Sequence, residues 1–427
     1  MAPSRRREIL RLAGGGLTAG IAGCVRLTFT DDSPDAPAGD CEVDAPTAQG
    51  VHDVGDGGWP MPGYDPANTS YAPDETAPDL DNLEVAWTHQ ASDAEVLVSG
   101  ETVLASTEET FTAFDADTGE KRWTYEGDEE RTNSKFTIRD DTAYCCRFGG
   151  SSSETVVIAF DHESGEKQWE REITGRPVEH LTITDRELVF GTFAGNPGNW
   201  EGRIYSLDPR DGSPHWVNDS IRRYPSSAPA IAENLIYIGL QNSNLRALDR
   251  ETGGRCSIID SRDVRDVSVS GGNVYVTRRS TGDGPTWWIF QTYDGKENEK
   301  QWGTNPLSGL TDIVSGQIIT EEYVLLTSHD GIFALTHDGS LVWEREEVED
   351  EPVPMMSPCI VKKTLFTGGS SGIYAFDVET GELQESVAIE AEDFSGFRVA
   401  NGTLYLTDSG GGLSVGDAAP GAIVALR

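Results

Sequence analysis

The chain has 427 residues, of which 37% are hydrophobic, and 47 glycines and 21 prolines break it into short segments. Its 72 acidic residues outnumber 33 basic ones and set a formal net charge of −39, which argues against nucleic acid and anionic lipid as ligands. Acids alternate with apolar runs, as in a folded protein whose surface charge is screened by concentrated salt. We therefore expect a halophilic, haloarchaeal source. No long stretch has helical periodicity, which favours an all-β fold.

The N-terminus has the features of an export signal. Arg6 and Arg7 precede a short apolar run, residues 12–22, that is far too short to span a bilayer. The arginine pair resembles the twin-arginine signal, and Cys24 closes a segment that resembles the lipobox of lipoproteins. The alternative is a buried helix with an incidental cysteine. We predict a signal peptide in residues 1–23 and an exported protein held at the outer face of the cytoplasmic membrane by lipid on Cys24.

An acidic spacer is predicted to follow the lipidated cysteine. Residues 24–58 contain almost no aromatic side chains and cannot bury a core. As a flexible linker, a segment of this length spans on the order of 30 Å. It would hold the folded domain, residues 59–427, clear of the membrane surface.

A degenerate repeat organises that domain. Each copy has a small residue, a large residue and an aspartate, followed by a turn with glycine and then a tryptophan. The clearest copies are residues 112–123, 158–169 and 205–216. The aspartate position recurs every 41 to 47 residues, at residues 115, 161, 208, 249, 294, 336 and 377 (threonine at 336). This interval is the length of a four-stranded propeller blade.

The tryptophan of each copy is predicted to begin a strand and to wedge between neighbouring sheets, where a ring of its size buries on the order of 200 Å². The predicted blade-docking residues are Trp87, Trp123, Trp169, Trp216, Trp302 and Trp343. Ser257 and Glu385 replace tryptophan in two copies. Packing at those two blades is therefore expected to be weaker or different.

The two chain ends supply complementary halves of one further copy. Residues 423–427 contain the first half of the motif, and residues 83–90 contain the second half with its tryptophan. Joining them closes the ring. The sequence thus predicts an all-β, eight-bladed β-propeller with four-stranded blades, the last blade being closed by both termini. We expect it to be monomeric.

The repeat resembles the tryptophan-docking motif of the PQQ-like β-propeller family, and residues 59–69 resemble the segment that often precedes the first blade there. The resemblance covers residues 59–427. It implies the fold but not one function, because the family contains quinone-dependent dehydrogenases and non-catalytic lipoproteins. One of the latter is the propeller lipoprotein of the bacterial outer-membrane barrel-assembly machine. We expect this chain to belong to the non-catalytic lipoprotein branch.

Cys145 and Cys146 are the residues that most suggest chemistry, because several quinoprotein dehydrogenases place a vicinal disulfide against the quinone. The repeat alignment puts both cysteines on a strand, where neighbours point to opposite faces. We therefore predict two separate thiols. The calcium ligands and the aspartate base of the dehydrogenases have no matching motif here. The other cysteines, Cys41, Cys256 and Cys359, lack metal-ligand spacing. No cofactor, metal or catalytic residue is expected.

The central channel holds the remaining candidate residues. The alignment puts one residue of each inner strand at one level: Ala94, Ser134, His180, Ser227, Arg265, Ser315, Met356 and Ser395. His180, Arg265 and Lys135, which follows Ser134, are basic groups that would line the channel and receive an anion. The alternative is that they pair with neighbouring acids such as Glu179 and Asp266.

These observations predict a non-enzymatic, lipid-anchored surface propeller that acts as a scaffold for a protein partner or presents a ligand. Two alternatives remain open at this point. One is a PQQ-dependent dehydrogenase. The other is capture of a small anion or a sugar for a transporter.

Overall fold

The computed structural model describes residues 41, 54, 57–91, 94–126, 131–149, 154–196, 199–221, 223–280, 288–304, 313–328, 331–348, 351–353, 356–369, 372–391, 394–408, 413–414 and 422–427. Within these residues the regular structure is β-strand apart from a 3-10 turn at Leu80–Asn82. No helix among them has the length and apolarity to cross a membrane. Arg6, Arg7 and Cys24 lie outside the described residues, so export and lipidation remain predictions.

Eight antiparallel sheets of four blade strands follow one another along the chain, which confirms the predicted eight-bladed all-β propeller. Blades 1 to 4 contain Glu95–Ser99, Thr102–Ser106, Phe111–Asp115 and Lys121–Tyr125; Arg131–Arg139, Thr142–Gly149, Glu154–Asp161 and Lys167–Thr174; Arg176–Ile183, Leu188–Asn196, Asn199–Leu207 and Pro214–Asn218; Ala230–Ile231, Leu235–Ile238, Asn244–Asp249 and Arg255–Arg262.

Blades 5 to 8 contain Val264–Ser270, Asn273–Arg279, Trp288–Asp294 and Lys300–Gly303; Ile313–Ile319, Tyr323–Ser328, Gly331–Thr336 and Leu341–Arg345; Met356–Val361, Thr364–Gly369, Gly372–Asp377 and Leu383–Ala388; Phe394–Ala400, Thr403–Asp408, Ala422–Leu426 and Val85–Gln90. Short strands at Gly58–Trp59 and Tyr71–Ala72 join the inner strands of blades 1 and 7. Two small ribbons pair Glu347–Val348 with Glu351–Pro352 and Glu390–Ala391 with Leu413–Ser414.

Both chain ends share the eighth blade, as predicted. Its outer strand, Val85–Gln90, pairs with the C-terminal strand Ala422–Leu426 in antiparallel register. Glu84 and Arg427 then exchange two backbone hydrogen bonds of 2.7 and 3.0 Å. The ring is closed by these backbone bonds, because the two halves of one repeat meet in a single sheet.

Each tryptophan of the repeat contacts the aspartate–glycine turn of the following blade. Trp123 shows the contact: its indole N–H donates to the His162 carbonyl at 2.9 Å, and a Cβ on Gly165 would lie 2.5 Å from its ring. Gly165 also has φ +71°, which favours glycine. The same contact joins Trp87 to Gly119, Trp169 to Gly212, Trp216 to Gly253, Trp302 to Gly339 and Trp343 to Gly381. Tryptophan and glycine therefore act as a matched pair across blade boundaries.

The two copies without tryptophan are packed differently. The Ser257 hydroxyl donates to the Asn298 side-chain oxygen at 3.2 Å, and Asn298 stands where the other turns have glycine. Glu385 faces no aspartate–glycine turn, because the third and fourth strands of the eighth blade come from opposite ends of the chain. Its carboxylate accepts the backbone N–H of Leu80, in the 3-10 turn, at 2.8 Å instead. Both departures from the repeat thus have a local partner of their own.

One end of the channel is crossed by the segment that precedes the first blade. We call residues 57–76 the plug, and we call the end where they lie the turn end, because the first hairpin turn and the aspartate–glycine turn of each blade lie there. Backbone N–H groups near the end of six inner strands donate to plug carbonyls at 2.8 to 3.3 Å: Ile138 to Pro60, Ile231 to Pro66, Val269 to Ala67, Ile319 to Thr69, Ile360 to Ser70, and Gly402 to Thr76.

The plug reaches the two remaining blades as well. Trp59 pairs with Val98 of blade 1, and Met61 packs with Leu181 and Ile183 of blade 3. The buried Glu75 carboxylate accepts the backbone N–H of Asn401 at 3.0 Å, and that of Gly58 at 2.5 Å. The plug therefore ties all eight blades together at the turn end.

A disulfide joins Cys41 to Cys256 on the outer strand of blade 4, with the two Cα atoms 5.4 Å apart. The sequence showed only that these cysteines lack metal-ligand spacing, because a separation of 215 residues contains no pairing signal. Cys41 belongs to the segment predicted to be a linker. At this residue, that segment is covalently attached to the propeller.

Candidate binding site in the central channel

The inner strands are irregular at the level that the sequence alignment selected. The register of six of them breaks between Asn133 and Lys135, Val178 and Thr182, Val264 and Asp266, Ile313 and Gln317, Met356 and Cys359, and Phe394 and Gly396. Ser134, His180, Arg265, Ser315 and Ser395 fall inside these breaks, and Met356 lies at the edge of one. β-Bulges re-aim side chains and are common beside functional sites. The bulged level is therefore the first candidate for a site.

Among the residues that the structure describes, seven titratable ones surround the channel near this level, and we call them the channel ring. They are Glu95, Lys135, Glu179, His180, Arg265, Asp266 and Arg398, all half-buried. The ring comprises three cations, three carboxylates and one imidazole from five blades. Most ring residues lie three or four positions before the residue of the same inner strand that contacts the plug, as Lys135 lies before Ile138. At the rise of a β-strand, this spacing places them about 10 Å from the plug along the channel.

His180 is held neutral at neutral pH. Burial lowers the pKa of its imidazole to about 4, Glu95 opposes this shift, and Lys135 and Arg398 add to it. The Nδ1 atom lies 3.9 Å from the Glu95 Oε1 atom. A neutral imidazole donates from one nitrogen and accepts at the other, so His180 offers both functions to a ligand.

The carboxylates Glu179 and Asp266 of the ring differ in their surroundings. Burial raises the pKa of Glu179, while Lys135 and Arg265 lower it. Glu179 also has φ +52°, a left-handed conformation that is rare for a residue with a side chain. Burial raises the pKa of Asp266 to about 6, against hydrogen bonds from the backbone of Val267 and Gln317. Glu179 therefore interacts with two of the basic groups, as in the alternative, whereas Asp266 is held by backbone N–H groups.

Two arginine N–H groups in the ring lack an acceptor in the described part of the chain. The Nε atoms of Arg265 and Arg398 are buried and have no hydrogen-bond partner among the described residues. Arg398 uses another nitrogen, Nη1, to donate to the Phe397 carbonyl at 2.9 Å. A buried N–H without an acceptor costs roughly 1–3 kcal/mol, so such groups normally meet water or a ligand.

Aromatic side chains form a ledge at the other end of the channel, which we call the rim end. The Phe193 and Tyr224 rings lie 4.5 Å apart, and the Trp200 and Tyr224 rings lie 5.8 Å apart. The Arg176 guanidinium lies 4.1 Å from the centre of the Phe148 ring. The sequence analysis missed this ledge. Its one local signal is Trp200, a tryptophan outside the docking position of the repeat.

The vicinal cysteines do not fit the quinone site of the dehydrogenases. Both lie in the second strand of blade 2, Thr142–Gly149, as the alignment predicted. Cys145 packs in one blade-to-blade core and Cys146 in another, and both are fully buried thiols outside any disulfide. Burial raises the pKa of Cys145 to about 12, with Arg147 opposing. The two sulfur atoms therefore do not form the paired surface on which a quinone ring would rest.

Known structures share this architecture. BamB from Moraxella catarrhalis has a TM-score of 0.57 and 16% identity, over 81% of this chain and 98% of that chain. The quinohemoprotein alcohol dehydrogenase ADHIIG from Pseudomonas putida HK5 has a TM-score of 0.57 and 12% identity, over 91% of this chain and 83% of that chain. The computationally designed Ika8 protein has a TM-score of 0.59 and 12% identity, over 80% of this chain and 98% of that chain.

At such low identity these likenesses show the fold alone. No curated protein matches this chain. A family model does match it: the one described as outer membrane protein assembly factor BamB matches residues 77–301. Because this match spans more than half of the chain, the protein belongs to that family of β-propellers.

Proposed function

We propose that this chain is an exported, lipid-anchored propeller at the outer face of the cytoplasmic membrane, where it acts as a non-enzymatic scaffold for a protein partner. The family description names an assembly factor, which supports a protein partner. The observation that carries the choice between scaffold and dehydrogenase is the separation of Cys145 from Cys146 into two cores. That pair was the residue feature that most suggested quinone chemistry.

The disulfide between Cys41 and Cys256 supports export. Disulfides persist in oxidising surroundings outside the cytoplasm and are rare inside it, although intracellular proteins of some hyperthermophiles are exceptions. In this proposal, lipid on Cys24 anchors the chain, and the short stretch from Cys24 to Cys41 limits how far blade 4 stands from the membrane.

The anchor is tested by cell fractionation. Cys24→Ala should move the protein from the membrane fraction into the medium, and Arg6→Lys combined with Arg7→Lys should retain the precursor in the cytoplasm. Cross-linking of intact cells before mild detergent extraction should then recover one partner protein with the wild type. Unchanged membrane fractionation in both variants argues against the anchor, and a wild-type sample without any cross-linked partner argues against the scaffold.

The dehydrogenase alternative has its own test. Purified protein is incubated with PQQ and calcium and desalted, and quinone absorbance is measured. We expect no retained quinone. Retention in a stoichiometric amount, lost in Cys145→Ser, would replace the scaffold proposal with the quinoprotein one.

A further inference from the structure

We propose that the channel ring and the aromatic ledge together form a binding site for a neutral saccharide, entered from the rim end. The site is independent of the lipid anchor and of the protein partner. Its floor is the plug, which bonds the inner strands at the turn end. A ligand therefore reaches the ring past the ledge of Phe193, Trp200 and Tyr224.

The charge balance of the ring selects the class of ligand. An anion at the axis would be attracted by Lys135, Arg265 and Arg398 but repelled by three carboxylates, and a cation would meet the opposite problem. Sugar hydroxyls avoid this conflict, because each one both donates and accepts a hydrogen bond. They donate to carboxylates and accept from guanidinium and ammonium groups. The neutral His180 can serve either function.

The free arginine donors point to the same class. The Nε atoms of Arg265 and Arg398 are buried without a partner among the described residues. They come from blades 5 and 8, so their acceptors must lie at two places around the channel. A sugar ring has hydroxyl oxygens on several sides and can meet donors at both places. Without a sugar, water would have to satisfy them.

The ledge lies close enough to the ring to belong to one site. Burial raises the pKa of the Tyr224 phenol, Glu179 adds to the rise, and Arg265 opposes it. The geometry agrees: the hydroxyl of Ser226, two residues after Tyr224, donates to the carbonyl of Val264, the neighbour of Arg265, at 2.7 Å. Tyr224 in turn packs against Phe193 and Trp200. Aromatic faces pack against the apolar C–H face of a pyranose while the ring hydroxyls turn to polar groups.

The test is titration calorimetry of the purified protein in molar salt with glucose, galactose, mannose and N-acetylglucosamine, and with sodium phosphate as a separate arm. At least one sugar should bind with a Kd of about 1 mM or tighter. Arg265→Met and Trp200→Ala should each weaken that binding at least about tenfold, which equals about 1.4 kcal/mol. Arg122→Met removes an arginine that pairs with Asp115 in a blade turn, and it should leave sugar binding unchanged.

Thermal melting of each variant shows whether it is folded, and Arg398→Met replaces Arg265→Met if the latter unfolds. Failure of all four sugars to bind overturns the proposal. Tight phosphate binding without sugar binding also overturns it and assigns the ring to an anion. Equal loss in Arg122→Met places the sugar elsewhere on the protein. None of these outcomes affects the tests of export or of the protein partner.

Discussion

Two neighbouring blade interfaces solve one packing problem with different residues. Between blades 3 and 4, Trp216 lies on Gly253 and donates to the Arg250 carbonyl at 3.0 Å. Between blades 4 and 5, Ser257 and Asn298 occupy the corresponding positions and share a hydrogen bond of 3.2 Å. A large residue faces one without a side chain in the first case, and two residues of moderate size face each other in the second.

The hydrogen bond of the indole is also replaced. In the turn of blade 5, the carbonyl in the position of Arg250 belongs to Gly295, and it accepts the Tyr237 hydroxyl at 3.4 Å. Tyr237 is fully buried and reaches this turn from the second strand of blade 4. The comparison teaches that these two blade boundaries each have matched volumes and a donor for one carbonyl, and that tryptophan with glycine is one way to supply them.

The strongest way to break the comparison is to remove the large partner. Trp216 is 2% exposed, so Trp216→Ala should lower the free energy of unfolding by about 3–5 kcal/mol, through lost burial and a cavity. Ser257→Ala, the matched change at the other interface, should cost less than about 1.5 kcal/mol, because it removes a single hydrogen bond. Denaturant unfolding in molar salt measures both. Similar losses in the two variants would contradict the comparison.

The disulfide distinguishes the second interface further, because Cys256 is the neighbour of Ser257 on the outer strand of blade 4. Cys41→Ser should lower stability by about 2–4 kcal/mol, since the cross-link restricts the unfolded chain. A reductant should lower the melting temperature of the wild type and leave that of Cys41→Ser unchanged. A wild-type melting temperature that does not respond to reductant would count against a stabilising role.

Gly253 tests the small partner. It has φ +69°, and an added Cβ would overlap the Trp216 ring, so Gly253→Ala should cost about 2–3 kcal/mol through strain and overpacking. Asn298→Gly, at φ +57°, relieves strain but loses one hydrogen bond, and should change stability by less than about 1 kcal/mol. Chemical denaturation gives both values. An alanine tolerated at Gly253 would show that the pair is not matched.

The smallest net effect is expected for pH, because His180 and Asp266 change stability in opposite directions over overlapping pH ranges. It should be the same for both interfaces, because His180 belongs to neither contact. The pKa of His180 is about 4 in the folded protein, below its ordinary value of 6.5, so the unfolded chain binds more protons between these values. Its contribution to stability is therefore lost as pH falls through that window. Asp266, with its pKa raised to about 6, has the opposite effect and loses stability as pH rises towards 6.

Melting temperatures of the wild type, Trp216→Ala and His180→Gln, measured across this pH range, separate the contributions of His180 and Asp266 to stability. His180→Gln should reduce the decline on acidification, and the part that remains belongs to His89 and His162, whose pKa values are also lowered by burial. Trp216→Ala should keep the pH dependence of the wild type at a lower melting temperature. A His180→Gln profile identical in shape to the wild type would remove His180 as the titrating group.

The sequence by itself determined the features that repeat. The aspartate spacing, the tryptophan positions and the split motif at the two ends were enough to predict eight blades and the pairing of Val85–Gln90 with Ala422–Leu426. This was possible because each blade contacts mainly its neighbours, so a local pattern of known period specifies the whole ring. The strand positions of Cys145 and Cys146 followed from the same alignment.

Only the tertiary structure decided the features that occur once. The plug contacts every blade, yet its residues 57–76 follow no repeat. Cys41 meets Cys256 across 215 residues, and the ring sets Glu95 beside His180 from different blades. The sequence alignment selected His180, Arg265 and Lys135 for the channel. It did not select Glu95, the third carboxylate, which makes the numbers of cations and carboxylates in the channel ring equal. Such contacts arise when the ring closes and brings distant residues together, and no period along the chain records them.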